Sequence, residues 1–231
     1  MSLLCIIPAR RDSKGLPGKN WKPLNNKPLI SYSIEIAQAF APINQICIST
    51  NSQDVIKIAE TNHQLDVPFV RPEELSQDTT SSRDVILHAL DHYKQKGIEF
   101  TDILLLQPTS PFRKSEHLKE AWELYQNTDC EMVTSVYLSP FNPYYNIFLE
   151  SNQGYIQRSI PSTFTRRQDC PPAYILNGSI YFFKVESIMK YDMSEFNKIC
   201  KYQMDETYSI DIDTEWDWAM AEKHVQSGLM K

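Results

Sequence analysis

The chain has 231 residues, 42% of them hydrophobic and 23% charged, with 10 Phe, 12 Tyr and 4 Trp spread along it, which excludes a disordered or low-complexity protein and predicts one domain, residues 1–231, with a core that needs no disulfides. Its formal net charge is -6, which excludes a general nucleic-acid or membrane-surface binder, since both normally carry a basic excess. The five cysteines (Cys5, Cys47, Cys130, Cys170, Cys200) are odd in number and form no metal- or redox-spaced pair, and no run of about 18 apolar residues occurs. A reducing cytoplasm, with no signal peptide and no membrane span, is the expected setting.

In chain order, strand-length apolar runs alternate with segments of helical period, the pattern of an α/β fold with a mostly parallel sheet covered on both faces. Residues 3–7 read as a buried first strand and 29–40 as a helix with Ile30, Ile34 and Ala37 on one stripe. Residues 46–49 read as a second strand, 55–59 as part of the next helix and 67–70 as a short third strand. Val85, Ile86, Ala89, Leu90 and Tyr93 form another helical stripe, followed by a central strand at 103–106, a helix at 118–125 and a strand at 132–136. From 139 to 172 the pattern changes: five prolines with interleaved aromatics predict extended segments and a hairpin projecting as a lid or dimer arm. Residues 179–183 and 208–212 are the predicted last strands, and a helix starting near Thr214 carries Trp216, Ala219 and Met220.

The loop after the first strand, PARRDSKGLPGKNWK over residues 8–22, sets Arg10, Arg11, Lys14, Lys19 and Lys22 against the single acid Asp12. In an α/β sheet such a loop faces the crevice where ligands bind, so a polyphosphate is its expected guest. Gly15, Pro17 and Gly18 fix its backbone, but the spacing is neither a P-loop nor G-x-G-x-x-G. Near the C-terminus, SIDIDTE over 209–215 places Asp211 and Asp213 two apart, so that on a strand they face the same side about 7 Å apart and together suit one hard cation, magnesium. Asp213 also suits a helix cap. LQPTSPFR over 106–113 offers Gln107, Thr109, Ser110 and Arg113 to a base or sugar, and the segment 70–82 delivers Arg71, Asp78 and Ser82 to the same edge, with Ser81 a candidate cap.

At these stretches the chain resembles the acylneuraminate cytidylyltransferase family, which makes CMP-activated sialic acids and related nonulosonic acids. IPARRDSKGLPGKN at 7–20, RPEELSQD at 71–78, LQPTSP at 106–111, NGSIY at 177–181 and DIDTE at 211–215 carry the likeness. The resemblance implies a three-layer α/β/α Rossmann-like nucleotidyltransferase that acts as a homodimer, the arm reaching a neighbour's site. It implies that Arg10, Ser13, Lys14, Lys19 and Asn20 hold the triphosphate, that Arg71, Ser82 and Gln107 surround cytidine and ribose, and that Asp211 and Asp213 hold Mg2+. Arg10, Lys14, Lys19 and Asp211 are then the catalytic set, and Asp211 or a metal-bound hydroxyl is the base. CTP and a nonulosonic acid are the implied substrates, the acid meeting Gln107, Thr109, Ser110, Tyr145, Arg167, Gln168 and Tyr181. Where sialic-acid members carry a lysine and an arginine, this chain has Tyr145 and Ile175, which points to a sialic-acid relative such as legionaminic acid or the deaminated ketononulosonic acid, rather than N-acetylneuraminate, as acceptor.

Three alternatives remain: a cytidylyltransferase for the eight-carbon acid Kdo, a phosphatase, and a nucleotide-binding regulator without catalysis. The 10–20 and 211–215 runs speak against the first, the late position of the Asp pair against the second, and intact Lys19, Asp211 and Asp213 against the third. His88 and His92 have metal-pair spacing without an evident third ligand, which favours a solvated helix face. Trp216 and Trp218 are expected to pack the last helix.

Overall fold

The computed structural model describes residues 1–228. Strand β1 (Leu3–Pro8) leads through the basic loop and a two-residue ribbon, β2 (Pro23–Leu24) and β3 (Lys27–Pro28), into α1 (Leu29–Gln38). Then come β4 (Ile43–Ser49), α2 (Gln53–His63), α3 (Ser82–Gln95), β5 (Asp102–Leu105), α4 (Ser115–Gln126) and β6 (Met132–Leu138). A hairpin of β7 (Phe148–Glu150) and β8 (Ile156–Arg158) stands apart before β9 (Tyr174–Lys184), α5 (Val185–Lys190), β10 (Ile199–Gln203) and α6 (Glu215–Gln226).

Six strands make one sheet in the order β10-β6-β9-β5-β1-β4. β1 runs parallel to β4 and β5, and β10 runs parallel to β6, while the long β9 is antiparallel to both its neighbours. Successive side chains of a strand face opposite sides, and β1 shows it: Leu3, Cys5 and Ile7 join one core, Leu4 and Ile6 the other. The first core packs Ile30, Ile34 and Ala37 of α1 with Val55 of α2 and Leu118, Ala121 and Trp122 of α4. The second packs Ile86, Ala89 and Tyr93 of α3 with Ile188 of α5. The α/β/α layering predicted from the alternation is therefore present.

A third cluster gathers Leu16, Leu24, Leu29, Phe112, Ile212, Trp218 and Ala221. Through Leu16, Phe112 and Ile212 it anchors the basic loop, the 106–113 loop and the Asp211 segment together on the face of α6.

Four expectations need correction. Residues 208–212 are not a strand: Tyr208 closes a 3-10 turn (Glu206–Tyr208) and the segment after it pairs with no strand. The strand foreseen at 67–70 shrinks to a single bridge between Val70 and Thr50, because the prolines flanking it leave no room for a ladder. Trp216 does not pack: it is 74% exposed, whereas Trp218 is 3% exposed, since the two lie on different faces of α6. His88 and His92 are half-buried rather than on a freely solvated face; both rings lie on Phe69, at 4.5 and 4.9 Å between centroids. No group of three or more metal-type ligands occurs among the described residues. Cys5 and Cys47 are buried with their thiols pushed up, Cys47 to about 12, as core residues rather than nucleophiles.

Candidate active site

The carboxyl ends of β1 and β5 open onto a cleft of about 340 Å³. One wall is the basic loop, whose path is set by packing and by backbone groups. Leu16 is buried in the third cluster, and Asn20 donates from Nδ2 to the Arg10 carbonyl at 2.9 Å. Gly18 takes φ +71°, and a Cβ there would lie 2.8 Å from the Trp21 ring. Gly15 lies so close to the Asp213 carbonyl that a Cβ would overlap it, so the basic loop and the acidic segment are pressed together. Lys19, 9% exposed, spans the join: its Nζ donates to the Ile212 carbonyl at 3.0 Å and to Asp213 Oδ1 at 2.7 Å.

The acidic pair reaches the cleft by a different route from the strand alternation predicted. Ile212 is buried in the third cluster and its N–H donates to the Thr109 carbonyl at 2.8 Å, which leaves Asp211 and Asp213 on either side of it facing the cleft. Burial raises the Asp211 carboxyl above the usual range, a hydrogen bond from Thr109 opposes the rise, and the charge of Asp213 adds to it. Asp211 has no cationic partner within ion-pair distance among the described residues. Two hard carboxylates repelling each other, one without a counter-ion, suit a divalent cation, but two ligands are too few; phosphate oxygens and water would complete the shell.

The cleft is also lined by Arg71, 4% exposed, whose Nε and Nη2 have no partner. Burial, and then the charge of Arg10, lowers its guanidinium to about 10, and a buried cation with unused donors is a standing demand for an anion. Ser82 opens α3 beside it; Ser81 is the N-cap in a reciprocal box with Asp84, as its position suggested. Asp78 joins the walls. It pairs with Arg10 at 2.7 Å and Lys14 at 2.8 Å; the Lys14 bond lowers its carboxyl most, desolvation opposes it, and the Arg10 bond with the charges of both cations leaves it below the usual range.

Arg10, Lys19, Asn20, Arg71, Ser82, Gln107, Thr109, Asp211 and Asp213 all line the one cleft, so most of the nucleotide and metal residues foreseen come together. Ser13 and Lys14 do not line it. Gln77 and Thr80 do and were not singled out, because polar loop residues carry no spacing signal until the 73–81 turn is folded. The acceptor residues scatter. Ser110 is buried, donating to the Asn177 carbonyl at 2.8 Å with Asp211 Oδ1 at 3.5 Å, and Tyr181 is 8% exposed on β9. Tyr145, Arg167 and Gln168 lie in the 139–172 arm and do not line the cleft; Arg167 donates instead to the Pro140 carbonyl at 3.0 Å.

The profile of the cytidylyltransferase family matches residues 4–223. The chain belongs to that family. Among curated relatives of this cytidylyltransferase is a CMP-N,N'-diacetyllegionaminic acid synthase of Legionella pneumophila, 34% identical over 96% of both chains. An N-acylneuraminate cytidylyltransferase of Streptococcus agalactiae is 35% identical over 94% of this chain and 52% of its own length. A solved CMP:2-keto-3-deoxy-manno-octonic acid synthetase, complexed with CTP, superposes with a TM-score of 0.72 over 99% of this cytidylyltransferase and 100% of the other, at 16% identity, which bears on the fold alone.

Proposed function

We propose that this cytidylyltransferase transfers CMP from CTP to the anomeric hydroxyl of a nonulosonic acid. The hydroxyl oxygen forms a bond to the α-phosphorus, the bond from that phosphorus to the α–β bridging oxygen breaks, pyrophosphate leaves with the electron pair, and the hydroxyl proton is released. The observation that carries this reading is one cleft lined together by Lys19, Asp211, Asp213 and the buried Arg71, whose Nε and Nη2 have no partner. Such a cleft supplies cations for a polyphosphate and hard oxygens for its counter-ion, and catalysis then rests on placing and neutralising charge.

Arg10 and Lys19 would grip the triphosphate, with Asn20 fixing the loop that bears them; Lys14, which does not line the cleft, would join them only by turning in from its pair with Asp78, while Arg71, Ser82 and Gln107 would meet the nucleoside. Asp211 and Asp213 would hold Mg2+, which when bound would neutralise charge on the phosphates; to serve it, Lys19 would turn from Asp213 towards phosphate. The acceptor reading is a legionaminic-type acid, supported by Tyr145 and Ile175 in place of basic side chains and by the name of the Legionella relative. The arm exposes Phe148, Leu149, Tyr155 and Ile156 at 45%, 62%, 69% and 69%, an apolar strip that a second copy of the chain would cover, giving a homodimer. No helix among the described residues is long and apolar enough to cross a membrane, and a cytoplasmic enzyme accords with the free thiols.

The test is pyrophosphate release with CTP, UTP, GTP or ATP against N,N'-diacetyllegionaminic acid, N-acetylneuraminate, pseudaminic acid, ketodeoxynonulosonate and Kdo, with and without magnesium. Release with CTP, magnesium and a legionaminic-type acid is expected. A clear preference for N-acetylneuraminate would overturn the acceptor assignment, and full activity in chelator the metal assignment.

A further inference from the structure

Arg113 ends the 106–113 loop beneath the cleft and is 5% exposed. Its Nε donates to Ser179 Oγ on β9 at 3.1 Å, its Nη1 to Ser33 Oγ on α1 at 2.8 Å and its Nη2 to the Gln107 carbonyl at 2.6 Å. No carboxylate lies within ion-pair distance of it among the described residues. Burial lowers its guanidinium to about 10, opposed by Cys5 and then by the charge of Asp211, so it stays charged at neutral pH. A cation in this place costs more than an apolar side chain of similar volume, so packing alone does not account for it.

The arrangement instead converges on Gln107. That residue lies two beyond the last residue of β5, past the ladder that would hold its backbone, and its carbonyl is held by the charge-assisted bond from Arg113. Its side chain is confined from the other side: Gly178 has φ +69°, and a Cβ there would lie 2.6 Å from Gln107 Oε1 and 3.0 Å from Ser110 Oγ. Gln107 needs such support, because a carboxamide recognises a ligand only when its donor and acceptor ends are correctly turned and its flexible stem is held.

We propose that Arg113 is a positioning residue for Gln107, clamping the peptide from which the Gln107 amide meets substrate in the cleft. The proposal rests on the cytidylyltransferase reading only in that Gln107 touches a substrate of that reaction.

A double-mutant cycle tests it. Arg113→Lys, Gln107→Ala and the double variant are compared in steady-state pyrophosphate release, with thermal melts to normalise for folded protein. Arg113→Lys should lower kcat/KM by about 10- to 100-fold, and Gln107→Ala should raise KM for the same substrate. The double variant should be no worse than Gln107→Ala alone. Ser33→Ala, which removes one acceptor of the guanidinium and leaves its charge, should move the same KM in the same direction by less, so that the inference survives testing even if Arg113→Lys folds poorly. Additive losses in the double variant, or wild-type kinetic constants per folded molecule in Arg113→Lys, would overturn the assignment. A wild type that releases no pyrophosphate with any acid would overturn the proposed function as well, which separates the two failures.

Discussion

Around the cleft, charged side chains are held by backbone groups and by one another, whereas residues 139–172 present their apolar side chains to solvent. Lys19 is tied to Ile212 and Asp213, Asp78 to Arg10 and Lys14, and Arg113 to three separate elements, with the basic loop, the 106–113 loop and the Asp211 segment standing on the third apolar cluster. The arm is tied mainly to itself, as by Asn142 Nδ2 to the Pro171 carbonyl at 2.7 Å and Arg158 Nη1 to the Ser162 carbonyl at 3.2 Å, and neither face of its hairpin is buried. The contrast teaches that the residues proposed for the nucleotide are gathered into one cleft within a single chain. The proposed acceptor residues Tyr145, Arg167 and Gln168 lie on a segment whose hairpin leaves its apolar side chains exposed.

The largest effect that could break this contrast is Asp211→Asn. Turnover should fall roughly 100-fold or more, as when a group aimed at transition-state charge is removed. In chelator the melting temperature should hold or rise at neutral pH, because burial already disfavours the charge of Asp211. Loss of the fold together with activity would make Asp211 structural instead.

Next is the arm. Leu149→Lys with Ile156→Lys should convert the proposed dimer to a monomer by light scattering and raise KM for the acid about tenfold, or ~1.4 kcal/mol of acceptor binding, while CTP affinity stays put. A dimer that persists, or CTP binding that fails in step, would erase the division between the halves.

Smaller is Asp78→Asn. Removing a carboxylate that occupies Arg10 and Lys14, two of the proposed triphosphate ligands, should tighten CTP binding about two- to fivefold, the scale of an exposed ion pair. Its folded-state carboxyl is depressed, so its contribution to stability is complete above the ordinary aspartate value near ~3.9 and is lost as pH falls through the lowered folded value. The melting temperature of the wild type should exceed that of Asp78→Asn at pH 6, and the gap should close on acidification. Weaker CTP binding in this variant would mean that Asp78 orients the cations rather than competing for them. The smallest effect is Trp216→Ala, which should leave stability and turnover unchanged, since the ring is 74% exposed; a lower assembly state by light scattering would extend the interface from the arm to α6.

Much of this was legible in the sequence because it depends on local pattern. Leu3 to Ile7 had to be a buried strand, and the charges of the loop after it had to face the sheet's carboxyl edge. Asp211 and Asp213 were recognisable as a pair, but not the means of their presentation. That depends on Ile212 entering a cluster built by Leu16, Phe112 and Trp218, residues far apart in the chain. The edge strand β10 was missed since Ile199, Lys201 and Gln203 are exposed and only Cys200 and Tyr202 half-buried, giving a faint alternation in a polar stretch. Arg113 read as a ligand contact, and only its burial shows it working from behind Gln107.

The most direct test of the central claim is phosphorus NMR of the protein incubated with CTP, magnesium and N,N'-diacetyllegionaminic acid. The account predicts that the CTP resonances give way to equal amounts of pyrophosphate and a single CMP-sugar phosphodiester, and only when the acid is present. CTP left intact, or CMP and pyrophosphate formed without any need for the acid, would contradict it.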